Sequence, residues 1–289
     1  MKKVLVLGGK GMAGHLVVKY LRQLNKYQVA QVARGINETK DSYSIDVTDK
    51  DQLDRLLANL APDIIINCIG ILNKDAEDNP DKAIFINSYL PHYLARKIKE
   101  YNGRLIHIST DCVFSGKKGD YAELDYKDGI GFYAQSKALG EVAYDKHITI
   151  RTSIIGPELN KNGIGLLHWF LTSPSKSLKG YTNAFWSGVT TLQLSHAIAY
   201  AIEDAELAGL IHLTNGTKIS KYDLLLLFNE IFKTGKIIEA YSDYYVDKSL
   251  LAGPLSNRLG YVPSYEKMLE ELKLWMSANS DLYIGNYTF

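Results

Sequence analysis

The sequence predicts an α/β fold: a doubly wound parallel sheet, followed beyond residue 156 by a smaller C-terminal lobe. Three observations carry this. Short apolar runs with strand character alternate with helical periodicities through the first half of the chain. The first run, Val4-Leu5-Val6-Leu7, passes at once into a glycine cluster and then a helix. Each later cluster of unusual residues falls directly after a predicted strand, and an open parallel sheet gathers such clusters on one edge.

The glycine cluster is Gly8-Gly9-Lys10-Gly11-Met12-Ala13-Gly14, and Leu16, Val17, Tyr20, Leu21 and Leu24 follow at helical spacing. Strand, glycine turn and helix together form the context in which such a motif holds a dinucleotide. Glycines let the backbone approach a pyrophosphate, which sits where free N–H groups and the helix dipole favour an anion. A Rossmann-like nucleotide-binding domain is therefore expected over residues 1–156. The bland alternative is a tight turn with no ligand.

A second strand, residues 28–33, ends at Arg34-Gly35 with no acid beside the arginine. A cation there suits a 2′-phosphate, so NADP(H) is expected over NAD(H). Tyr43-Ser44-Ile45-Asp46-Val47 reads as a short strand whose Asp46 faces an adenine pocket or caps the next helix. Leu53, Leu56, Leu57 and Leu60 mark that helix, and Pro62 ends it. The continuous apolar run Asp63 to Cys68 predicts a doubly buried strand leading into Ile69-Gly70, where a small residue lets a cofactor pass close. A helix from Pro80 carries Asn87, with a kink expected at Pro91. The next strand, residues 104–109, runs into Thr110-Asp111-Cys112-Val113-Phe114, and His107 within it reads as a hydrogen-bonded core residue.

Tyr133 and Lys137 follow in the run Gly131 to Glu141, which has no proline and no β-branched residue. Helix formers dominate it, so the two side chains share a face, about 6 Å apart along the axis. An ammonium beside a phenol favours the phenolate, and such a tyrosine can exchange a proton with a carbonyl or hydroxyl oxygen. With 20 tyrosines in the chain the spacing alone is weak. Its weight comes from the clusters before it. A strand over residues 147–151 follows and ends at Ile155-Gly156-Pro157.

Beyond Pro157 the rhythm changes. A helix is expected from Thr190 or Thr191, a strand over residues 210–213, and a capped helix from Ser220 through Phe232 that Gly235 stops. A last helix begins near Ser264 and runs past Trp275. These pieces are too interrupted for an independent domain, so residues 157–289 are read as a substrate-binding lobe over the sheet edge. The tail from Ser277 carries no readable pattern.

Composition narrows the function classes. A net charge of +1 gives no reason to invoke nucleic acid or an acidic membrane surface. Two cysteines, Cys68 and Cys112, suggest a reducing compartment, and no apolar run approaches a membrane span, so a cytoplasmic protein is expected. No His/Cys/Asp/Glu cluster has metal-site spacing.

Taken together, the residues resemble a known family. Gly8-x-x-Gly11-x-x-Gly14 with Tyr133-x-x-x-Lys137 resembles the extended short-chain dehydrogenase/reductases. The run Ser109-Thr110-Asp111-Cys112-Val113-Phe114-Ser115-Gly116, with Tyr121-x-Glu123 and Ser136-Lys137-x-x-Gly140-Glu141, is similar to the dTDP-4-dehydrorhamnose reductases among them. The likeness is dense to about residue 157 and thin afterwards. It implies Tyr133 as proton donor, Lys137 as nicotinamide-ribose ligand that lowers the tyrosine pKa, and Thr110 as a third catalytic group in place of a serine. It further implies a cofactor site of Gly8, Lys10, Gly11, Met12, Gly14, Arg34, Asp46, Val47, Cys68, Ile69, Gly70 and Asn87, with Tyr133 and Lys137. The substrate walls would be Ile71, Thr110, Asp111, Phe114, Tyr121, Glu123 and Trp186, with Lys248 near the same pocket. Here Ala134 replaces the glycine usual after the tyrosine, and Phe185 to Thr191 departs from the family's second-lobe motif.

The implied activity is NAD(P)H-dependent reduction of a nucleotide-linked 4-keto-6-deoxyhexose in surface-polysaccharide precursor synthesis. The partners expected are that substrate and at most a second copy of the chain, giving a homodimer. Two other readings use the same residues. One is a sugar-nucleotide epimerase or dehydratase; Asp111 suits a dehydratase, but Cys112 stands where a second acid is usual. The other is a non-catalytic, nucleotide-binding regulatory subunit, against which the presence of Thr110, Tyr133 and Lys137 argues.

Overall fold

A computed structural model describes residues 1–287. In chain order it comprises β1 (Lys2–Leu7), α1 (Met12–Gln23), β2 (Tyr27–Val32), β3 (Ser42–Tyr43), α2 (Lys50–Leu60), β4 (Ile64–Asn67), α3 (Asn73–Asp78) and α4 (Pro80–Ala83). A π-helical stretch (Ile84–Tyr89) leads into α5 (Leu90–Ile98), then β5 (Arg104–Thr110), α6 (Phe132–Leu139), β6 (Ile148–Thr152), β7 (Ile154–Ile155) and α7 (Leu166–Thr172). The remainder is β8 (Ser177–Tyr181), β9 (Ala184–Trp186), β10 (Val189–Thr190), α8 (Thr191–Glu203), β11 (Gly209–His212), β12 (Ile219–Ser220), α9 (Lys221–Phe232), β13 (Ile237–Tyr241), β14 (Val246–Asp247) and α10 (Tyr265–Ala278).

Seven parallel strands form the main sheet in the order β11-β6-β5-β4-β1-β2-β3. The order reverses between β1 and β4, and the crevice outside the strand ends at such a switch point is where ligands bind. β1 lies inside the sheet between β4 and β2, with helices on either side, so both its faces must be apolar. Val4 and Val6 pack in one core with Leu16, Val17 and Leu21 of α1 and Ile198 of α8. Leu5 and Leu7 point the other way, into a second core with Leu53 and Leu57 of α2 and Leu94 of α5. The apolar run is thus a strand gripped on two sides.

The sheet does not stop at residue 156. β11, from the C-terminal half, pairs with β6, and α8 covers the same face as α1. The smaller lobe holds the pairs β7–β10 and β8–β13 and the three-stranded β12-β9-β14. Thr190 caps α8, Ser220 caps α9 and Ser264 caps α10, each accepting a backbone N–H three residues on.

One local reading needs correction and one gains detail. α9 ends at Lys233 in the left-handed conformation (φ 53°), two residues before Gly235. Pro91 stands within a continuous right-handed helical run, and the irregularity there is the π-helical stretch that precedes it. Proline cannot donate to the carbonyl four residues back, that of Asn87. A Cβ built on Gly140, at the end of α6, would lie 1.8 Å from that oxygen. The missing side chain lets α6 sit against the widened turn.

Candidate active site

The glycine turn closes through its own backbone. Gly8 and Gly9 donate N–H bonds to the Val32 carbonyl (2.9 and 3.0 Å), and Gly11 donates to that of Gly8 (2.9 Å). Gly8 has φ +88°, and a Cβ on Gly14 would stand 2.2 Å from the Gly8 oxygen, so α1 approaches β1 only without a side chain there. Gly11 is the N-cap of α1 and carries no side-chain cap, which leaves the amides of the first turn for an anion. Met12, half-buried, opens the helix.

A cleft of about 330 Å³ runs from this turn along the strand ends. Gly8, Lys10, Gly11, Arg34, Asp46, Val47, Cys68, Ile69, Gly70 and Ile71 line it, which brings together most of the expected cofactor residues. Lys82 and Ile86 also line it and were not legible, because they reach it from a separate helical segment. Asn87 does not line it. Its buried amide bonds the N–H and C=O of Ile71 (both 2.9 Å) and the Ser136 hydroxyl (3.0 Å), clamping the Gly70-Ile71 turn to α6.

Arg34 does have an acid beside it, contrary to the local sequence: Asp46 Oδ2 lies 3.7 Å from its guanidinium, brought there by β3 pairing with β2. Asp46 does not cap α2; Asp49 does. Bonds from the Thr48 amide and hydroxyl, with the charges of Arg34 and Lys82, hold the Asp46 carboxyl below its ordinary range. Lys10 donates to the Gly35 carbonyl (3.1 Å) on the same rim.

Thr110, Tyr133 and Lys137 converge where β5 ends. Thr110 Oγ1 donates to Asp111 Oδ1 (3.1 Å) and accepts from the Cys112 amide (3.1 Å), and the Tyr133 phenol stands beside it. Lys137 is buried; its Nζ donates to the Ile108 carbonyl (2.7 Å) and lies 3.4 Å from His107 Nε2. Burial lowers the Lys137 pKa to about 8, against the opposing pull of Glu141 and Cys68. His107, core as expected, is held neutral by burial and by the Lys137 charge.

The Tyr133 phenol is pushed above its usual value, burial being the main cause. This reverses the expected lowering by Lys137, whose ammonium is aimed at Ile108 and His107 instead. A phenol held protonated can serve as a proton donor but not as a base. Tyr133 is placed by α6, whose N-cap, Gly131, has φ +91° and no side chain. Glu77 of α3 serves instead, accepting the Tyr133 N–H (3.2 Å). No local pattern announces a cap supplied from a different helix.

On the far side of Tyr133 lies a second hollow of about 360 Å³, lined by Glu77, Cys112, Phe114, Ser115, Lys117, Ile130, Tyr133 and Lys248 among others. Of the expected substrate walls, Phe114 and the nearby Lys248 line this hollow, Ile71 lines the first cleft instead, and Thr110, Asp111, Tyr121, Glu123 and Trp186 line neither. Tyr121 stacks on Phe114 (4.1 Å between centroids) and accepts the Gly116 and Lys118 amides, bracing the loop. Glu123 accepts the His212 N–H (2.8 Å). Trp186 is buried in the lobe core, its indole donating to Ser153 Oγ (2.8 Å). Asp111 is buried beneath Thr110, its carboxyl pushed up by burial. Among the described residues no His/Cys/Asp/Glu group could hold a metal ion, and no helix is long and apolar enough to cross a membrane.

Comparison with known proteins agrees with this geometry. Residues 1–244 match the model of the RmlD substrate binding domain. A dTDP-4-dehydrorhamnose reductase of Aggregatibacter actinomycetemcomitans is 26% identical over 83% of this chain and 82% of its own. The spore coat polysaccharide biosynthesis protein SpsK of Bacillus subtilis is 27% identical over 77% of each. The structure of the Bacillus anthracis dTDP-4-dehydrorhamnose reductase in complex with NADP superposes with a TM-score of 0.80, at 22% identity, over 95% of this chain and 99% of that one. With the family model spanning most of its length and the sheet order, glycine turn and Thr110–Tyr133–Lys137 cluster in place, the chain belongs to the RmlD family of sugar-nucleotide reductases of the extended short-chain dehydrogenase/reductase type.

Proposed function

We propose that the protein reduces the ring ketone of a nucleotide-linked 4-keto-6-deoxyhexose with NADPH, in the synthesis of a surface-polysaccharide precursor. The observation that carries this is the Thr110–Tyr133–Lys137 cluster at the end of β5, with Tyr133 on the wall of the second hollow and the glycine-lined cleft along the same strand ends. A reduced nicotinamide supplies a hydride to the carbonyl carbon when bound. Tyr133 gives its proton to the carbonyl oxygen, which becomes a hydroxyl, and the proton is regained from solvent. A phenol held protonated at neutral pH suits that direction, because a developing alkoxide is far more basic than a phenolate. Thr110 would orient the oxygen, and Lys137 would bind the nicotinamide ribose.

The residues proposed for the dinucleotide are Gly8, Gly11, Met12 and Gly14 at the pyrophosphate, and Asp46, Val47, Cys68, Ile69 and Gly70 along the cleft. Lys10, Arg34 and Lys82 give the adenosine end more positive than negative charge, which supports NADPH over NADH. Lys248 and Lys117 rim the sugar hollow and belong to no ion pair among the described residues. The dehydratase alternative is disfavoured at Cys112, whose thiol is pushed up to about 11 by burial and is no base at neutral pH. Oxidation of NADPH against dTDP-linked and UDP-N-acetylamino 4-keto-6-deoxyhexoses tests the reading. Turnover of one of them supports it; turnover of neither, with intact NADPH binding, contradicts it.

A further inference from the structure

The C-terminal segment, a 3₁₀ turn at Ser280–Tyr283 and the residues to 287, carries no pattern in the sequence, yet it reaches the glycine turn. His15, in the second turn of α1, is 5% exposed. Its Nδ1 lies 2.9 Å from the Gly11 carbonyl and its Nε2 lies 2.9 Å from the Tyr283 hydroxyl. A carbonyl only accepts, so Nδ1 must carry a proton. Burial pushes the imidazole pKa down to about 4, which leaves a neutral ring with one proton. Nε2 is therefore bare and accepts the Tyr283 O–H. The fully buried Tyr283 thus selects the tautomer that can hold Gly11.

A second set of bonds anchors the same segment. Asn286 Nδ2 donates to the carbonyls of Glu158 (2.9 Å) and Leu159 (3.1 Å), and the Tyr287 hydroxyl accepts the Glu158 N–H (2.9 Å). The Glu158 carboxylate accepts the Gly165 N–H (2.6 Å), and a Cβ on Gly165 would stand 3.0 Å from Met12 Sδ. The second route ends at the Met12 side chain, the first at the carbonyl of the Gly11–Met12 peptide. That peptide is planar and trans, so fixing its carbonyl oxygen fixes the opposite direction of the Met12 N–H. This N–H belongs to the uncapped first turn, which offers its donors to an anion.

We propose that Tyr283 and His15 are positioning residues for the dinucleotide: the tail hydroxyl sets the imidazole tautomer, and the imidazole aims the Met12 amide at the pyrophosphate. This rests on the reading of the glycine turn as a dinucleotide site. The C-terminal segment is thereby part of the cofactor-binding machinery, though it touches no cofactor itself.

The test is a set of NADPH titrations by fluorescence, with full steady-state kinetics. Tyr283→Phe removes one hydroxyl and should raise the NADPH Kd about three- to tenfold, the worth of one neutral hydrogen bond. At saturating NADPH, kcat and the KM for the keto-sugar should stay within about twofold, a split that a general loss of structure would not give. His15→Asn keeps a donor near the Nδ1 position and has no tautomer to select, so its NADPH Kd should stay near that of wild type. Tyr283→Phe added to His15→Asn should then cost nothing further. An unchanged Kd in Tyr283→Phe, or the same loss in the His15→Asn background, overturns the proposal. If Tyr283→Phe does not fold, His15→Leu against His15→Asn decides: the proposal requires that Leu weakens NADPH binding and Asn does not. Wild-type protein that binds neither NADPH nor NADH refutes the dinucleotide reading, and this inference with it.

Discussion

Glu141 and Arg151 form a buried two-point ion pair directly behind the reacting end of β5. Arg151 Nε and Nη2 donate to the two carboxylate oxygens at 2.8 and 2.7 Å, and the side chains are 1% and 3% exposed. Ser109 donates to the same carboxylate (2.7 Å) and Lys127 adds a second cation (3.1 Å). Arg151 Nη1 donates onward to His212 Nε2 (2.8 Å), and burial together with the Arg151 charge keeps that ring neutral, its pKa near 4. The network joins β5, the end of α6, β6 and β11, the elements that set the distance from Thr110 to Tyr133.

Glu141→Ala should therefore destabilise the protein by about 3–5 kcal/mol, the cost of stranding a buried guanidinium. Urea denaturation at neutral pH measures it. Burial alone would raise the Glu141 pKa, but the Arg151 and Ser109 bonds outweigh it and hold the carboxyl low. A depressed folded-state pKa contributes stability above the ordinary glutamate range and loses it as pH falls through the folded value. Glu141→Gln should accordingly show a shallower acid loss of stability than wild type.

Tyr133→Phe should lower turnover by about two to four decades, the range for a positioned general acid. NADPH affinity should change by less than about threefold. Stopped-flow binding and steady-state turnover separate the two. Near-full activity would remove Tyr133 from the chemistry.

Lys137 gives a stability slope of the same sign as Glu141, but in a higher pH window and because its charge is penalised rather than favoured. Its pKa falls from the usual lysine value to about 8 on folding, so the unfolded chain binds more protons between those two values. The buried charge costs stability below pH 8, and that cost is relieved as pH rises through the window. Lys137→Met should lack this rise, so wild type should gain stability relative to the variant between pH 7 and about pH 10. Parallel denaturant curves at the two ends check it.

Arg34→Ser should weaken NADPH binding by about one decade or more, as expected for a charge-assisted phosphate contact of roughly 1–3 kcal/mol. NADH should lose less than about threefold, because Asp46, 3.7 Å away, remains to meet the ribose hydroxyls. Equal losses for the two cofactors would place Arg34 outside the phosphate site.

Much of this site was written locally. The glycine turn, the strand ends and the Tyr133–Lys137 spacing are each contained in a few consecutive residues whose periodicity or lack of a side chain has one structural use. What was missed depends on partners distant in the chain. Glu77 caps a helix more than fifty residues on, Asp46 reaches Arg34 only because β3 pairs with β2, and the Tyr133 phenol is set by burial that no spacing reports. Trp186 failed for the opposite reason: an aromatic in a thinly resembling lobe looks the same whether it lines a pocket or fills a core. Its acceptor, Ser153, stands directly before β7, the strand that pairs with β10, and holds the indole in the core.

The central claim, hydride addition to C4 with a proton from Tyr133, is tested most directly by isotope placement. The protein is incubated with NADPH carrying deuterium at the nicotinamide C4 and with a nucleotide-linked 4-keto-6-deoxyhexose, and the product is read by NMR. The account predicts one deuterium bound to ring C4 of a new secondary alcohol, one NADP⁺ formed per product, and loss of both in Tyr133→Phe. Deuterium at another carbon, or a rearranged sugar formed with no net NADPH consumption, would contradict it.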